Sequence, residues 1–334
     1  MKFKFLISTV IAGAMGLSQQ VSAKDVHEIT FSSYLPPSYE YVWTPMNNFM
    51  SKVEERSEGR VKFNVFHSAQ LFDGYEELPA LSRGDVDMVN MTSTYPSGTV
   101  PALSLFSMPF MFDDIDHITR VLKGGLFDLG LSQEMEQEHD AVVLGFASWD
   151  PGQLYSRRTP ILKLDDFKRK VWASTGSIDA ETLKELGGSP TTLPSSELYL
   201  AFDRGIIDAT PRPMLTGLGR NLYEVMEHLT MATFGIEVAV LAINKQKWEG
   251  LPKDIQQIIT EAAVERDAEQ YELVKQFIVD ATAKYESLGV KVHQVEPDDL
   301  LQMRKKASGV VNTWAKEVKH SDAYLELVEE MREN

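Results

Sequence analysis

The residue types that usually carry catalysis are present but badly spaced for it. Seven histidines stand at His27, His67, His117, His139, His228, His293 and His320, and none falls into the H-x-x-x-H spacing of a helix-borne metal pair. They read as surface or locally bonded imidazoles, which argues against a zinc hydrolase. The chain has no cysteine, so thiolate metal sites, disulfides and a cysteine nucleophile are ruled out. Gly217-Leu218-Gly219 lacks the third glycine of a dinucleotide fingerprint, and neither a G-x-x-x-x-G-K-[ST] loop nor a G-x-S-x-G elbow occurs. The acidic pairs Glu54-Glu55, Asp113-Asp114, Asp165-Asp166 and Asp298-Asp299 suit helix starts and turns better than a calcium loop. No cofactor and no metal are expected. What remains is binding chemistry, in Trp149 beside Asp150 and in the proline-flanked Arg212 of Thr210-Pro211-Arg212-Pro213.

Such residues need a scaffold, and 334 residues with 43% hydrophobic side chains are enough for two domains with real cores. The first 23 residues are set apart. Lys2 and Lys4 precede an apolar run from Phe5 to Leu17, and Val21-Ser22-Ala23 places small residues where a signal peptidase reads them. The run is too short to span a bilayer, so residues 1–23 are expected to be a signal peptide cleaved after Ala23, leaving a soluble periplasmic protein. Loss of the two lysines takes the net charge from −16 to −18. Such an acidic chain offers no broad basic field to nucleic acid or an anionic membrane.

Strand and helix patterns alternate along the mature chain. Glu28 to Ser33, Val61 to Phe66, Val86 to Met91 and Ala141 to Phe146 have strand character, separated by helical stretches such as Trp43 to Ser57. This predicts an α/β fold on mixed sheets. Trp149-Asp150-Pro151-Gly152 and Phe234-Gly235-Ile236 look like crossings between two lobes. Asp254 to Leu288 keeps a helical pattern, with Gly289 as its stop. A helix of that length, about 50 Å at 1.5 Å per residue, braces both lobes unless it breaks near Gln270. The expected division is 24–149 with 238–277 in the first lobe and 150–237 with 278–334 in the second.

Four segments in order resemble the solute-binding proteins of TRAP transporters (tripartite ATP-independent periplasmic transporters, dicarboxylate-type receptor family). They are Val53-Glu54-Glu55-Arg56-Ser57-Glu58-Gly59-Arg60-Val61, Leu81-Ser82-Arg83-Gly84-Asp85-Val86-Asp87-Met88, Met108-Pro109-Phe110-Met111-Phe112, and Ser196 to Asp208. The resemblance covers essentially residues 28 to 330. It implies a two-lobed periplasmic binding protein with hinge strands and no catalysis, which closes on one small solute as a monomer and delivers it to a membrane permease.

The family's D-L-K-G-x-K-I-R-V-P stretch supplies an arginine that grips the ligand carboxylate. Here the stretch reads Asp166-Phe167-Lys168-Arg169-Lys170-Val171-Trp172-Ala173-Ser174. Pairing Lys170-Val171 with the family's K-I, one residue being lost in the turn, puts Trp172 in the arginine's place. A tryptophan offers a π face to a cation, not a partner to a carboxylate. Trp149 and Asp150 at the first crossing, with Tyr34, Tyr39, Glu40 and Tyr41 around the loop after the first strand, extend an aromatic wall with a countercharge. Ser174 and Phe234 complete the candidate set. The leading expectation is therefore a small amine or zwitterion, such as an ethanolamine-, choline- or ectoine-like compound. Arg212 is the counterweight: it stands where the family has an E-N-P-like sequence that reaches the ligand. It either restores a site for a carboxylate or sulfonate or pairs with Glu237 or Asp150. A secreted hydrolase using Asp150 and Glu40 is the alternative from another class.

Overall fold

The computed structural model describes residues 25–332, so the expected leader and its cleavage after Ala23 lie outside the described residues. Strands β1 (His27–Ser32), β2 (Val61–Phe66), β3 (Met88–Thr92), β4 (Ala141–Ser148) and β10 (Val238–Asn244) make the first sheet, in the order β2-β1-β3-β10-β4. Strands β5 (Gly152–Ser156), β6 (Val171–Ser174), β7 (Ser189–Thr192), β8 (Ala209–Pro213), β9 (His228–Met231) and β11 (Lys291–Gln294) make the second, in the order β11-β9-β5-β8-β6-β7. Both sheets are mixed. β1 is parallel to β2 and β3, whereas β10 runs antiparallel to β3 and β4.

Helices flank the sheets: α1 (Glu40–Arg56), α2 (Glu77–Arg83), α3 (Ile115–Lys123), α4 (Leu131–His139), α5 (Ser177–Glu185), α6 (Leu198–Asp203), α7 (Met214–Gly219), α8 (Lys245–Glu249), α9 (Lys253–Ser287), α10 (Pro297–Glu317) and α11 (Ser321–Glu330). The strand period explains how they are held. Along β10, Val238, Val240 and Ala242 enter one core, while Ala239, Leu241 and Ile243 enter another on the opposite face. A strand buried on both faces must be apolar throughout, and Val238 to Ile243 is. The second sheet divides its neighbours the same way, with Tyr155 and Ala173 on one side and Leu154 and Trp172 on the other.

Four segments join the lobes. Two are short and hydrogen-bonded to each other: Gly152 N donates to Gly235 O at 2.7 Å, Phe234 N to Gly152 O at 2.8 Å and Trp149 N to Glu237 O at 2.9 Å. The third is α9, one continuous helix of 35 residues that stops where Gly289 takes φ +87°. Its Ile255, Ile259, Ala262 and Val274 belong to a first-lobe core, and its Ala281 and Tyr285 to a second-lobe core. Gln270, where a break was conceivable, is buried in the unbroken helix with Nε2 donating to Ser148 O at 3.3 Å.

The fourth connection was not expected. Met303 and Ala307 of α10 pack in the second lobe, but Val310 and Trp314, with Tyr324, Leu327 and Val328 of α11, belong to a first-lobe core. Trp314 Nε1 donates to Pro101 O at 3.1 Å, and His117 Nε2 lies 2.8 Å from Val328 O. The assignment of all of 278–334 to the second lobe is therefore corrected. The apolar stripe of α10 faces two different cores in turn, and periodicity alone does not show a change of partner.

Candidate ligand site

The cleft between the lobes lies beside the paired crossings and beyond the carboxyl ends of β3 and β6, where open α/β sheets place their ligands. A cavity of about 20 Å³ remains there, lined by Phe106, Ser107, Asp179, Arg212, Phe234 and Glu237 with the backbone around Gly152 and Gly235. That is room for about one water molecule. The lobes are closed over it. Tyr75 Oη donates to Thr175 O at 2.8 Å, and Ser195 N donates to Tyr95 Oη at 2.9 Å, so two first-lobe tyrosines grip second-lobe backbone. The Tyr34 and Tyr75 rings meet that of Tyr95 edge-on at 4.7 and 4.8 Å. Gly176 permits the approach, because a Cβ there would stand 2.8 Å from Ser97 Oγ and 3.2 Å from Thr94 O.

Arg212 comes from β8, between Pro211 and Pro213, whose rings fix φ on either side. Only 3% of it is exposed. Its Nη1 donates to Pro211 O at 2.7 Å and its Nη2 to Leu193 O at 3.5 Å, and Nε has no partner. No carboxylate among the described residues lies within ion-pair distance of its guanidinium. Asp179, in the first turn of α5, accepts long bonds from Thr175 N and Gly176 N, at 3.3 and 3.5 Å, on one oxygen. The Glu237 carboxylate makes no hydrogen bond among the described residues. Burial pushes Glu237 up to about 8, with Arg212 pulling it down and Asp179 and Asp150 adding to the rise. Burial likewise raises Asp179, against the pull of Arg212. The site thus holds one guanidinium with a free donor and two carboxyl groups reluctant to ionise.

The residues expected to bind ligand divide into three groups. Arg212 and Phe234 line the cavity. Tyr34, Tyr39 and Trp149 stand behind it in the first-lobe core: Tyr34 Oη bonds Thr92 Oγ1 at 2.7 Å, and the Arg220 guanidinium lies over the Tyr39 ring at 5.6 Å. Trp149 is wedged edge-on between Tyr39 and Tyr41. Trp172, Asp150, Glu40 and Ser174 are placed elsewhere. Trp172 is buried in a second-lobe core, stacked on Phe167 at 4.8 Å, with Nε1 donating to Phe167 O at 3.2 Å. Asp150 is fully buried, its carboxylate accepting from Tyr41 Oη at 2.5 Å, from Leu215 N at 3.3 Å and from Met214 N. It ties the crossing to α1 and to the start of α7, and burial lifts it to about 7 despite those bonds. Glu40 lines a groove of about 680 Å³ bounded by α1, α7 and α9. Ser174 Oγ donates to Thr191 O at 3.3 Å within its own sheet.

The alignment that sets Trp172 in the arginine's place has an alternative in the turn. Arg169 takes φ +58°, the left-handed conformation that suits the family's glycine. Matching Arg169 to that glycine needs no deletion, and it sets Ala173, not Trp172, at the arginine's position. Sequence spacing does not mark Asp179, Phe106, Ser107, Tyr75 or Tyr95, and it offers Glu237 only as a partner for Arg212. Their signal was topological: Tyr95 and Asp179 follow closely on β3 and β6.

Residues 31–317 match the family described as bacterial extracellular solute-binding protein, family 7. The C4-dicarboxylate-binding periplasmic protein DctP of Rhodobacter capsulatus is 31% identical over 268 residues, 76% of this chain and 77% of that protein. Among solved structures, a Bordetella pertussis extracytoplasmic solute receptor binding pyroglutamic acid superposes with a TM-score of 0.86 at 18% identity, covering 91% of this chain and 100% of that one. A TRAP periplasmic solute-binding protein from Chromohalobacter salexigens with bound D-glucuronate gives 0.85 at 24% identity, with 91% and 100% covered. At those scores the two-lobed α/β fold as a whole is shared with both receptors. The chain belongs to family 7 of the bacterial extracellular solute-binding proteins, the periplasmic receptors of TRAP transporters, and is a binding protein rather than an enzyme.

Proposed function

We propose that this receptor captures a small organic acid, a carboxylate or sulfonate, with Arg212 as its anion grip, and releases it to the permease subunits of a TRAP transporter when the lobes reopen. It works as a monomer, exported by cleavage after Ala23. The observation that carries the reading is Arg212 itself, a deeply buried guanidinium in the interlobe cavity whose Nε has no partner. A buried cation without an ion pair is costly unless an anion arrives. Contacts from both lobes exist only when the cleft is shut, so the acid draws the equilibrium toward closure.

The named relatives support an acid: C4-dicarboxylates for the Rhodobacter protein, pyroglutamic acid and D-glucuronate for the two solved receptors. The amine or zwitterion held by Trp172 and Asp150 gives way. Trp172 turns its faces to a core, and Asp150 is engaged by three donors at the hinge. A thermal-shift screen of the mature protein against acids and amines tests the proposal. An acid at about 100 times its dissociation constant adds about 2.7 kcal/mol, and Arg212→Gln is expected to abolish that shift. A hit list of amines alone would overturn it.

A further inference from the structure

We propose that Arg220 is a positioning residue for lobe closure, a second-lobe guanidinium that seats on Tyr34 and Tyr39 of the first lobe when the cleft shuts and holds the segment on which Arg212 leans. The inference does not depend on which class of ligand the cleft takes. Arg220 directly follows α7, and Gly217-Leu218-Gly219 just before it explains how that helix fits between the lobes. A Cβ at Gly217 would overlap Tyr285 Oη and the Tyr155 ring of the second-lobe core, and a Cβ at Gly219 would overlap the Tyr39 ring of the first lobe. One glycine therefore seats α7 on its own lobe, and the other admits a ring from the opposite one. Ser38 Oγ, beside Tyr39, donates to Gly219 O at 2.9 Å across the same joint.

In this joint the Arg220 guanidinium lies over the Tyr39 ring at 5.6 Å, with Nη2 donating to Ser195 Oγ at 3.2 Å and to Tyr34 O at 3.5 Å. Its Nε is buried without a partner, and no carboxylate among the described residues lies within ion-pair distance of it. In a chain with 49 acidic and 33 basic residues, a half-buried cation without an acid finds its favourable contacts elsewhere, here in a π face and two oxygens. Two of those three contacts belong to the first lobe and are lost when the lobes part. The third, Ser195, also donates its N–H to Tyr95 Oη of the first lobe at 2.9 Å, and two residues earlier Leu193 O accepts from Arg212 Nη2 at 3.5 Å. The Leu193-Pro194-Ser195 segment is thus held by Arg220 and Tyr95 at one end and touches Arg212 at the other. A contact made only in the closed state strengthens the hold on any ligand without touching it, because it raises the population of the form that binds.

Trapping of the closed state in the ligand-free mature chain tests this. The chain has no cysteine, and a Cβ at Gly176 stands 4.0 Å from Ser97 Cβ, inside the span of about 3.5–4.5 Å that a disulfide bridges. Ser97→Cys with Gly176→Cys therefore places one pair that oxidises only while the lobes are shut, and its rate of oxidation in a fixed thiol–disulfide buffer reads the closed population. In that background Arg220→Met is expected to slow trapping at least fivefold. Arg220→Lys, which keeps a cation for the ring but not the planar fork, is expected to slow it about twofold, with both melting temperatures within about 2 °C of the parent. Equal trapping rates in the parent and Arg220→Met overturn the inference. So does an equal loss in Arg220→Met and Arg220→Lys accompanied by a large fall in melting temperature, which marks a residue that only braces its own lobe. A parent pair that never oxidises shows that the lobes do not close this far, and the clasp falls with it. No ligand enters the measurement, so each of these results leaves the proposal of an acid ligand untouched, and that proposal falls on the thermal-shift screen instead.

Discussion

Trp172 and Arg212 occupy neighbouring strands, but Trp172 is packed in a core while Arg212 lines the interlobe cavity. The tryptophan is a core residue, so Trp172→Phe is expected to cost about 1 kcal/mol or more through the lost Nε1 bond and packing, and to leave ligand affinity unchanged. Denaturant unfolding and calorimetry on one preparation test both halves, and a fall in affinity without a fall in stability would return Trp172 to the site. Acids raised by desolvation, among them Glu237, Asp150 and Asp267, give a pH signature. Glu237, held at about 8, and Asp150, at about 7, bind protons in the folded state at pH values where the unfolded chain has released them. Stability of the ligand-free protein should therefore decline as pH rises from about 5 to 8. The ion-paired carboxylates, such as Glu265, held at about 2 by Arg56 and Lys52, lose their contribution only at lower pH and do not disturb this window. Glu237→Gln should make the slope shallower, and an equal slope in wild type and variant would remove Glu237 as a contributor. Arg212 was legible because two prolines frame it. Asp179 was not, since an aspartate in a first helical turn looks the same whether it faces solvent or a ligand.

At the scale of elements, the strands and α9 were legible because periodicity is a local property and their burial obeys it. Element partners were not, because the apolar stripe of α10 carries no mark of which core each turn enters. Closure depends on α5 in a way that one atom tests. Gly176 has φ −112°, so alanine there brings no backbone strain, but its Cβ would meet Ser97 Oγ and Thr94 O of the opposite lobe. Gly176→Ala is expected to leave ligand-free stability close to wild type. If it raises the closed state by about 1.4 kcal/mol, affinity for the bound acid falls about tenfold. Unchanged affinity would mean that the lobes bind ligand without approaching this closely.

Taken as a whole molecule, the receptor is joined by two short crossings and two long helices. That number restrains closure to a bend about the paired Gly152 and Gly235 segments rather than a free swivel. The last helix matters out of proportion to its size. Deleting α11 uncovers Val310 and Trp314 and removes Tyr324, Leu327 and Val328 from a first-lobe core. The expected outcome is a poorly soluble or molten first lobe, read by circular dichroism and dye binding. A truncated protein with wild-type melting would show that α11 merely rests on the surface.

The return of α10 and α11 to the first lobe also sets the order of events in the life of the chain. Every residue of the second lobe lies between two parts of the first, so a chain that emerges amino end first has the second lobe in hand while the first still lacks its closing helix. The first lobe can reach its final packing only once Val328 has arrived. A polypeptide that must be threaded before it sets gains from such an order, because the lock follows the whole of the second lobe.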